Sequence, residues 1–304
     1  MTDPVEEVRW TDAELDKHRQ IAENNFIEQR MEQGVEDYLE VYHQKESAVR
    51  KFFERTDDLR NLSGDLFVRN PDFTTPARHV TAPPISQDDL DTIVGENISK
   101  RKTIPRDAAD EGVWVIEQLI DPERFPWIED ERPPTDEERE IAIKATAGIW
   151  AVKRTQTNRR NDPAQEQEEH ILETLKSAGL REKSITRIQS REELDQLPAG
   201  CVAHQVYVRS SEADITVRLQ DGRLLAIEGK VSNSSLNSIK RLIHEVGDKA
   251  SNWREEFGDN VVPAAVLSGV YDRKHLKEAQ NDRDILIFWE HNLDSLVNFV
   301  EQTT

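Results

Sequence analysis

The run S-E-A-D-I-T-V-R-L-Q-D-G-R-L-L-A-I-E-G-K-V, residues 211–231, constrains this chain more than any other stretch. Apolar residues alternate on both sides of a turn signal: Ile215, Val217 and Leu219 before it, Leu225 and Ile227 after it. Period-two alternation around Asp-Gly predicts a β-hairpin with one buried face. A three-residue loop, Gln220-Asp221-Gly222 with Gly222 left-handed, is a common hairpin connection. It pairs Leu219 with Arg223 and, by continuation, sets Asp214 opposite Glu228. A two-residue turn would slip the register and oppose Asp214 to Gly229 instead. Directly opposed carboxylates repel and destabilise a sheet, so the pair requires a cation. Lys230, two residues past Glu228 and on the same face, is one candidate; a hard divalent metal with oxygen ligands is the other. The competing reading is a solvated hairpin face, ordinary in a chain that is 33% charged.

Charge and cysteine usage narrow the classes. The net charge is −20, from 60 acidic and 40 basic residues, with 14 Lys among the latter. Such a balance argues against phosphate-driven binding over the whole surface. The acid is spread along the chain and lysine is scarce, as in proteins adapted to high intracellular salt. Long-range charge is screened there, so local basic clusters matter more than the total. The single cysteine, Cys201, excludes an internal disulfide and a cysteine zinc cluster; it reads as a small buried hydrophobe. No run approaches the ~18 apolar residues of a membrane span, and the acidic start M-T-D-P-V-E-E has no apolar signal region. The expectation is a cytoplasmic protein without a membrane partner.

The spacing predicts a mainly helical region over 1–160 and a second region over 161–304. Residues 11–60 read as helical, 64–90 as a proline-rich loop, with short helices near 86–95 and 107–120. T-D-E-E at Thr135 fits a capping box for a helix ending in the basic run Lys153, Arg154, Arg159 and Arg160. A new helix is expected at 164–178, after Pro163. Strands follow near 184–189 and 201–208, then the hairpin, a helix at 235–256, a strand from Val261 to Val270, a short helix at 273–280, a strand from Asp284 to Trp289 and a helix at 292–302. This alternation indicates an α+β or α/β unit with a mixed sheet covered by helices. Trp253 and Trp289 read as core aromatics and His244 as a structural or surface residue. No GxSxG, phosphate loop or HExxH is present, so serine hydrolase, P-loop ATPase and zincin readings lack a motif.

Helix, strand, hairpin bearing Asp and then Glu-x-Lys, helix, strand is the order of the PD-(D/E)xK nucleases, which this segment resembles. The resemblance implies that Asp214, Glu228 and the Gly229 carbonyl bind Mg²⁺ or Mn²⁺. Lys230 would orient or help deprotonate the attacking water and contact phosphate. Glu168 lies three, four and seven residues before Ile171, Leu172 and Leu175 and is a further candidate at the site; a solvated stripe-edge glutamate is the other reading. Ser232, Asn233, Ser234 and Asn237 precede Lys240 and Arg241. They are either helix caps or, with the basic pair, DNA contacts. Arg154, Arg159 and Arg160 are either a dipole-compensating helix end or a phosphate strip.

The resemblance narrows further over I-T-V-R-L-Q-D-G-R-L-L-A-I-E-G-K-V-S-N-S-S-L-N-S-I-K-R-L, K-A-S-N-W, A-A-V-L-S-G-V and F-W-E-H-N-L, together with F-I-E-Q-R and Q-E-E-H-I-L-E-T-L. These segments are similar to the XamI-type family of type II restriction endonucleases. That family often carries Cys where Gly229 stands; the carbonyl contributed there is unaffected. The likeness implies a restriction-endonuclease-like core and Mg²⁺-dependent cleavage of double-stranded DNA at a short palindrome. It also implies a homodimer and a companion DNA methyltransferase. A repair or junction nuclease of the same superfamily and a non-catalytic DNA-binding protein on a nuclease-like fold are the alternatives.

Overall fold

The computed structural model describes residues 9–32, 34–98 and 103–303; the side chains of 159–162 lie outside that description. Two compact units are present. One is Gln33–Asn158, and the other joins the first helix, α1 (Asp12–Glu32), to the chain from Arg159 onward. The chain passes from one unit to the other between Asn158 and Arg159, and α1 groups with the residues beyond that point rather than with the helices that follow it. Leu15 and Ala22 of α1 are buried with Leu267 and Ile287 of the sheet, and only that burial assigns the helix.

Among the described residues the unit Gln33–Asn158 is built of helices, with an isolated β-bridge between Thr81 and Ile120. α2 (Gly34–Arg55) buries Val49, Phe52 and Phe53 against Phe67, Phe73, Ile116, Phe125 and Trp127. The loop expected over 64–90 is instead interrupted by short helices, Gly64–Arg69 and Thr74–His79, while the helix expected near 86–95 is present as Gln87–Val94. Pro71 and Pro76 sit in first turns, where a missing N–H costs little, so prolines there punctuate helices without abolishing them.

The capping box forms as read. Thr135 N donates to Glu138 Oε2 at 2.7 Å and Glu138 N to Thr135 Oγ1 at 3.2 Å. The Arg132 side chain, and then the Thr135 N–H, hold the Glu138 carboxyl down at about 2. A depressed carboxylate adds stability above its unfolded value and loses it as pH falls toward the folded one. Acid denaturation of the native chain between pH 5 and about 2 should therefore include a Glu138 component that Glu138→Gln removes. Thr135→Ala should cost about 1 kcal/mol in urea unfolding at neutral pH.

The helix so capped, α3 (Asp136–Ser177), runs for 42 residues straight through Pro163. A proline in a helix interior costs about 3 kcal/mol, and this is the reason for expecting a break. The helix survives because both halves are anchored by burial, Ala142, Ile143, Ala147 and Ala151 on one side and Ile171, Leu172 and Leu175 on the other.

The sheet has seven strands: β1 (Arg181–Glu182), β2 (Arg187–Ile188), β3 (Cys201–Val208), β4 (Ser211–Arg218), β5 (Leu224–Asn233), β6 (Val261–Val270) and β7 (Leu286–Trp289). Their order is β1-β3-β4-β5-β6-β7, with β2 also on β3; β3, β4 and β5 are antiparallel and β5, β6 and β7 parallel. This is the mixed, helix-flanked sheet expected. One face packs on α3 and the last helix, Asp294–Gln302, through Ile215, Val217, Leu225, Ile227, Val266 and Phe288. The other is covered by a continuous helix over 235–257, whose Val246, Ala250, Trp253 and Phe257 are buried. Cys201, Trp253 and Trp289 are buried, and His244 is exposed.

The hairpin register follows the three-residue loop. Val217 pairs with Leu225 and Ile215 with Ile227, while Leu219 N donates to Arg223 O at 2.9 Å. Gly222 takes φ +90°. Alanine there is expected to cost about 1–2 kcal/mol, because a Cβ disfavours that conformation; urea unfolding of Gly222→Ala measures it.

Candidate active site

Asp214 and Glu228 come from strands that part just where they meet. The β4–β5 ladder ends at Ile215–Ile227, and the next amide, Gly229 N, donates to Asp214 Oδ2 at 2.8 Å. The reason lies on the other side of β4. Pairing with β3 skips Gln205 and Asp214, and Gln205 takes φ +52°, an uncommon conformation for a non-glycine residue. Beyond this kink both strands exchange faces. Ile215 buries with the α3-side cluster, whereas Ala213 and Val206 bury with the opposite one. The exchange re-aims Asp214 toward β5.

Lys230 bridges the pair as charge balance requires. Its Nζ lies 2.7 Å from Glu228 Oε2 and 3.6 Å from Asp214 Oδ2. The Glu228 contact is an ion pair off hydrogen-bond geometry, since Oε2 has no hydrogen-bond partner. The other oxygen, Oε1, accepts from Lys249 Nζ at 2.6 Å. Burial pushes Glu228 above the usual carboxylate range; Lys230 opposes this, Asp214 adds to it and Lys249 opposes it again. Burial alone would lower the Lys230 ammonium, but the Glu228 and Asp214 carboxylates outweigh it and hold it above its ordinary value. Tyr271, buried at the end of β6, donates from its hydroxyl to the Lys230 carbonyl at 2.6 Å and so pins the strand.

Two of these neighbours were open to inference and missed. Lys249 is three residues after Val246 and four before Trp253, inside an apolar stripe, where an ammonium needs a partner. Gln167 is four residues before Ile171. Its side chain is fully buried, its Oε1 has no hydrogen-bond partner, and that oxygen lies 2.9 Å from where a Cβ on Gly229 would stand. Asp214 Oδ2 lies 3.8 Å from the same point.

Glu168 stands differently from its expected place. Its carboxylate meets His204 Nε2 of β3 at 3.0 Å, whereas Gln167 faces Gly229 of β5. One residue is a 100° turn of a helix, enough to direct neighbouring side chains over different strands. Ser232 is also corrected. It is buried and its Oγ donates to Ser234 O at 2.9 Å, an internal bond that removes it from any surface. Ser234 caps the helix start by accepting from Asn237 N. Asn233, Asn237 and Lys240 are exposed, and Arg241 pairs with Glu245 at 3.3 Å. Arg154 is exposed but lies in the other unit; the side chains of Arg159 and Arg160 fall outside the described residues.

Among the described residues no three His, Cys, Asp or Glu side chains converge as a metal centre. The oxygens that do converge are two carboxylates and the amide oxygen of Gln167, whose Nε2 donates to Glu290 Oε2 at 3.4 Å. An all-oxygen set suits a hard divalent ion, and the Gln167 oxygen has no protein donor to compete with one.

A model of the XamI restriction endonuclease family matches residues 57–289. The chain belongs to the XamI restriction endonuclease family. The Type II restriction enzyme XamI of Xanthomonas campestris pv. amaranthicola is 33% identical over 269 residues, covering 85% of this chain and 96% of that enzyme. No solved structure gives a match. Membership in the XamI family makes the chain a site-specific restriction endonuclease acting on DNA, in a class that generally uses a divalent metal. No helix among the described residues is long and apolar enough to cross a membrane.

Proposed function

We propose that the chain hydrolyses phosphodiester bonds of double-stranded DNA at a short palindrome, in a Mg²⁺-dependent reaction at the Asp214–Glu228–Lys230 cluster. The observation that carries this reading is the carboxylate pair just beyond the end of the β4–β5 ladder, with Lys230 between its members. Asp214, Glu228 and the Gly229 carbonyl would hold the ion, with Gln167 Oε1 as a further oxygen. When bound, Mg²⁺ supplies charge neutralisation at the phosphate and makes a coordinated water more acidic. Lys230, kept protonated by its two carboxylates, orients the attacking water and donates to a phosphate oxygen. Glu228, rigid in β5 and shielded from solvent, keeps its carboxylate in place without reorganisation during the reaction. Tyr271 holds the Lys230 backbone while its side chain turns between water and phosphate.

Asn233, Asn237, Lys240 and Arg241, at the mouth of the same strand, supply phosphate contacts that position the duplex without reading it. A palindromic target is cut on both strands by a two-fold dimer, so a homodimer is the working assembly. A companion methyltransferase would protect cytoplasmic host DNA.

Incubating the purified protein with Mg²⁺ and plasmid or phage DNA, at moderate and high salt, should give discrete fragments. DNA left uncut at both salts would overturn the reading, and structure-dependent nicking would redirect it to repair.

A further inference from the structure

Glu228 has two oxygens and each already holds an ammonium, at 2.6 Å from Lys249 and 2.7 Å from Lys230. Its side chain is fully buried, so no water competes for either oxygen. The carboxylate is saturated with positive charge. A divalent cation bound to the same oxygen as an ammonium would lie only about 4 Å from it, where repulsion is strong in a poorly solvated site. One lysine must therefore yield.

The two differ in how firmly they are held. Lys230 rises from a central strand, touches both carboxylates and has a side chain 15% exposed. Lys249 rises from a helix, has Glu228 as its ion-pair partner among the described residues, and is 29% exposed. Its long stem can carry the ammonium to solvent at little cost.

We propose that Lys249 is a resident counter-cation of the metal site: it occupies Glu228 Oε1, the entering divalent ion displaces it, and the released ammonium then contacts the DNA phosphate. Lys249 is thus a positioning residue that couples metal entry to substrate binding. The inference rests on Asp214 and Glu228 being the metal carboxylates.

The test is a Mn²⁺ titration of the full-length protein without DNA, following the paramagnetic resonance of the free ion. Lys249→Met should tighten Mn²⁺ binding about tenfold, since a bound competitor is gone. Lys249→Arg, which can grip the carboxylate with a fork of donors, should weaken it. Lys277→Met removes the same charge from a surface pair with Asp12 and should change affinity less than about twofold. With Ca²⁺ in place of Mg²⁺, Lys249→Met should also bind a cleavable duplex several-fold more weakly.

Unchanged or weaker Mn²⁺ binding by Lys249→Met would overturn the proposal, as would equal tightening by Lys277→Met or an unchanged duplex affinity. Glu228→Gln separates the two levels. It should abolish Mn²⁺ binding, and if binding persists the metal-site reading fails rather than the role of Lys249 alone. Circular dichroism establishes that each variant is folded, and Lys249→Gln replaces the Met variant if that one is not.

Discussion

Asp214→Asn and Glu228→Gln are each expected to lower the rate of DNA cleavage by on the order of a thousandfold or more at saturating metal. Both changes keep side-chain volume and remove a charge, so the effect reports electrostatics rather than packing. They should part company in stability. An asparagine amide oxygen still accepts the Gly229 N–H that Asp214 Oδ2 accepts now, and Asp214→Asn should unfold within about 1 kcal/mol of the native chain. Glu228→Gln leaves Lys230 and Lys249 without their shared carboxylate in a largely buried place. Breaking a buried ion pair from one side costs about 3–5 kcal/mol, less here because both ammonium groups reach partly to water. Single-turnover cleavage and urea unfolding on the same preparations measure the two effects. Cleavage within tenfold of the native rate in either variant would remove that residue from the site.

Trp253→Ala is expected to give the largest loss of stability, about 3–5 kcal/mol. The indole is fully buried against the sheet, with Ala226, Ala213 and Val206 in the same cluster, and its Nε1 donates to Ser211 O at 3.1 Å. The substitution opens a cavity and leaves that carbonyl without its donor. Trp253 also shares a helix face with Lys249, so the cavity should loosen the Lys249–Glu228 contact as well. Urea unfolding read by far-ultraviolet circular dichroism checks the stability. A loss below about 1 kcal/mol would mean that the helix over 235–257 does not cover the sheet as described.

The two variants probe different depths of the fold. Asp214 and Glu228 were legible because their relation is local. The period-two pattern of Ile215, Val217, Leu219, Leu225 and Ile227 and the left-handed preference of Gly222 settle the register within twenty residues. The strand Val261–Val270 was equally legible, being a run apolar from Val261 to Leu267 such as a strand covered on both faces carries. Less local features misled. Pro163 carries a strong helix-breaking signal, yet burial on either side of it keeps α3 whole. The prolines between 71 and 84 read as loop, yet two of them sit where a helix tolerates them.

By itself, then, the chain determined the hairpin, its register, the Asp214–Glu228–Lys230 cluster and the family likeness, since alternation and turn chemistry act over a few residues. Only the tertiary structure decided that Lys249 and Gln167 join the cluster, that Glu168 turns to His204, that Ser232 is buried, and that α1 packs on the sheet. Those outcomes depend on which helix face lies over which strand. That is settled by contacts between segments far apart in the chain, as in the Trp10–Gln280 bonds, 270 residues apart, that hold the chain before α1 to the region preceding β7. No local pattern carries that information.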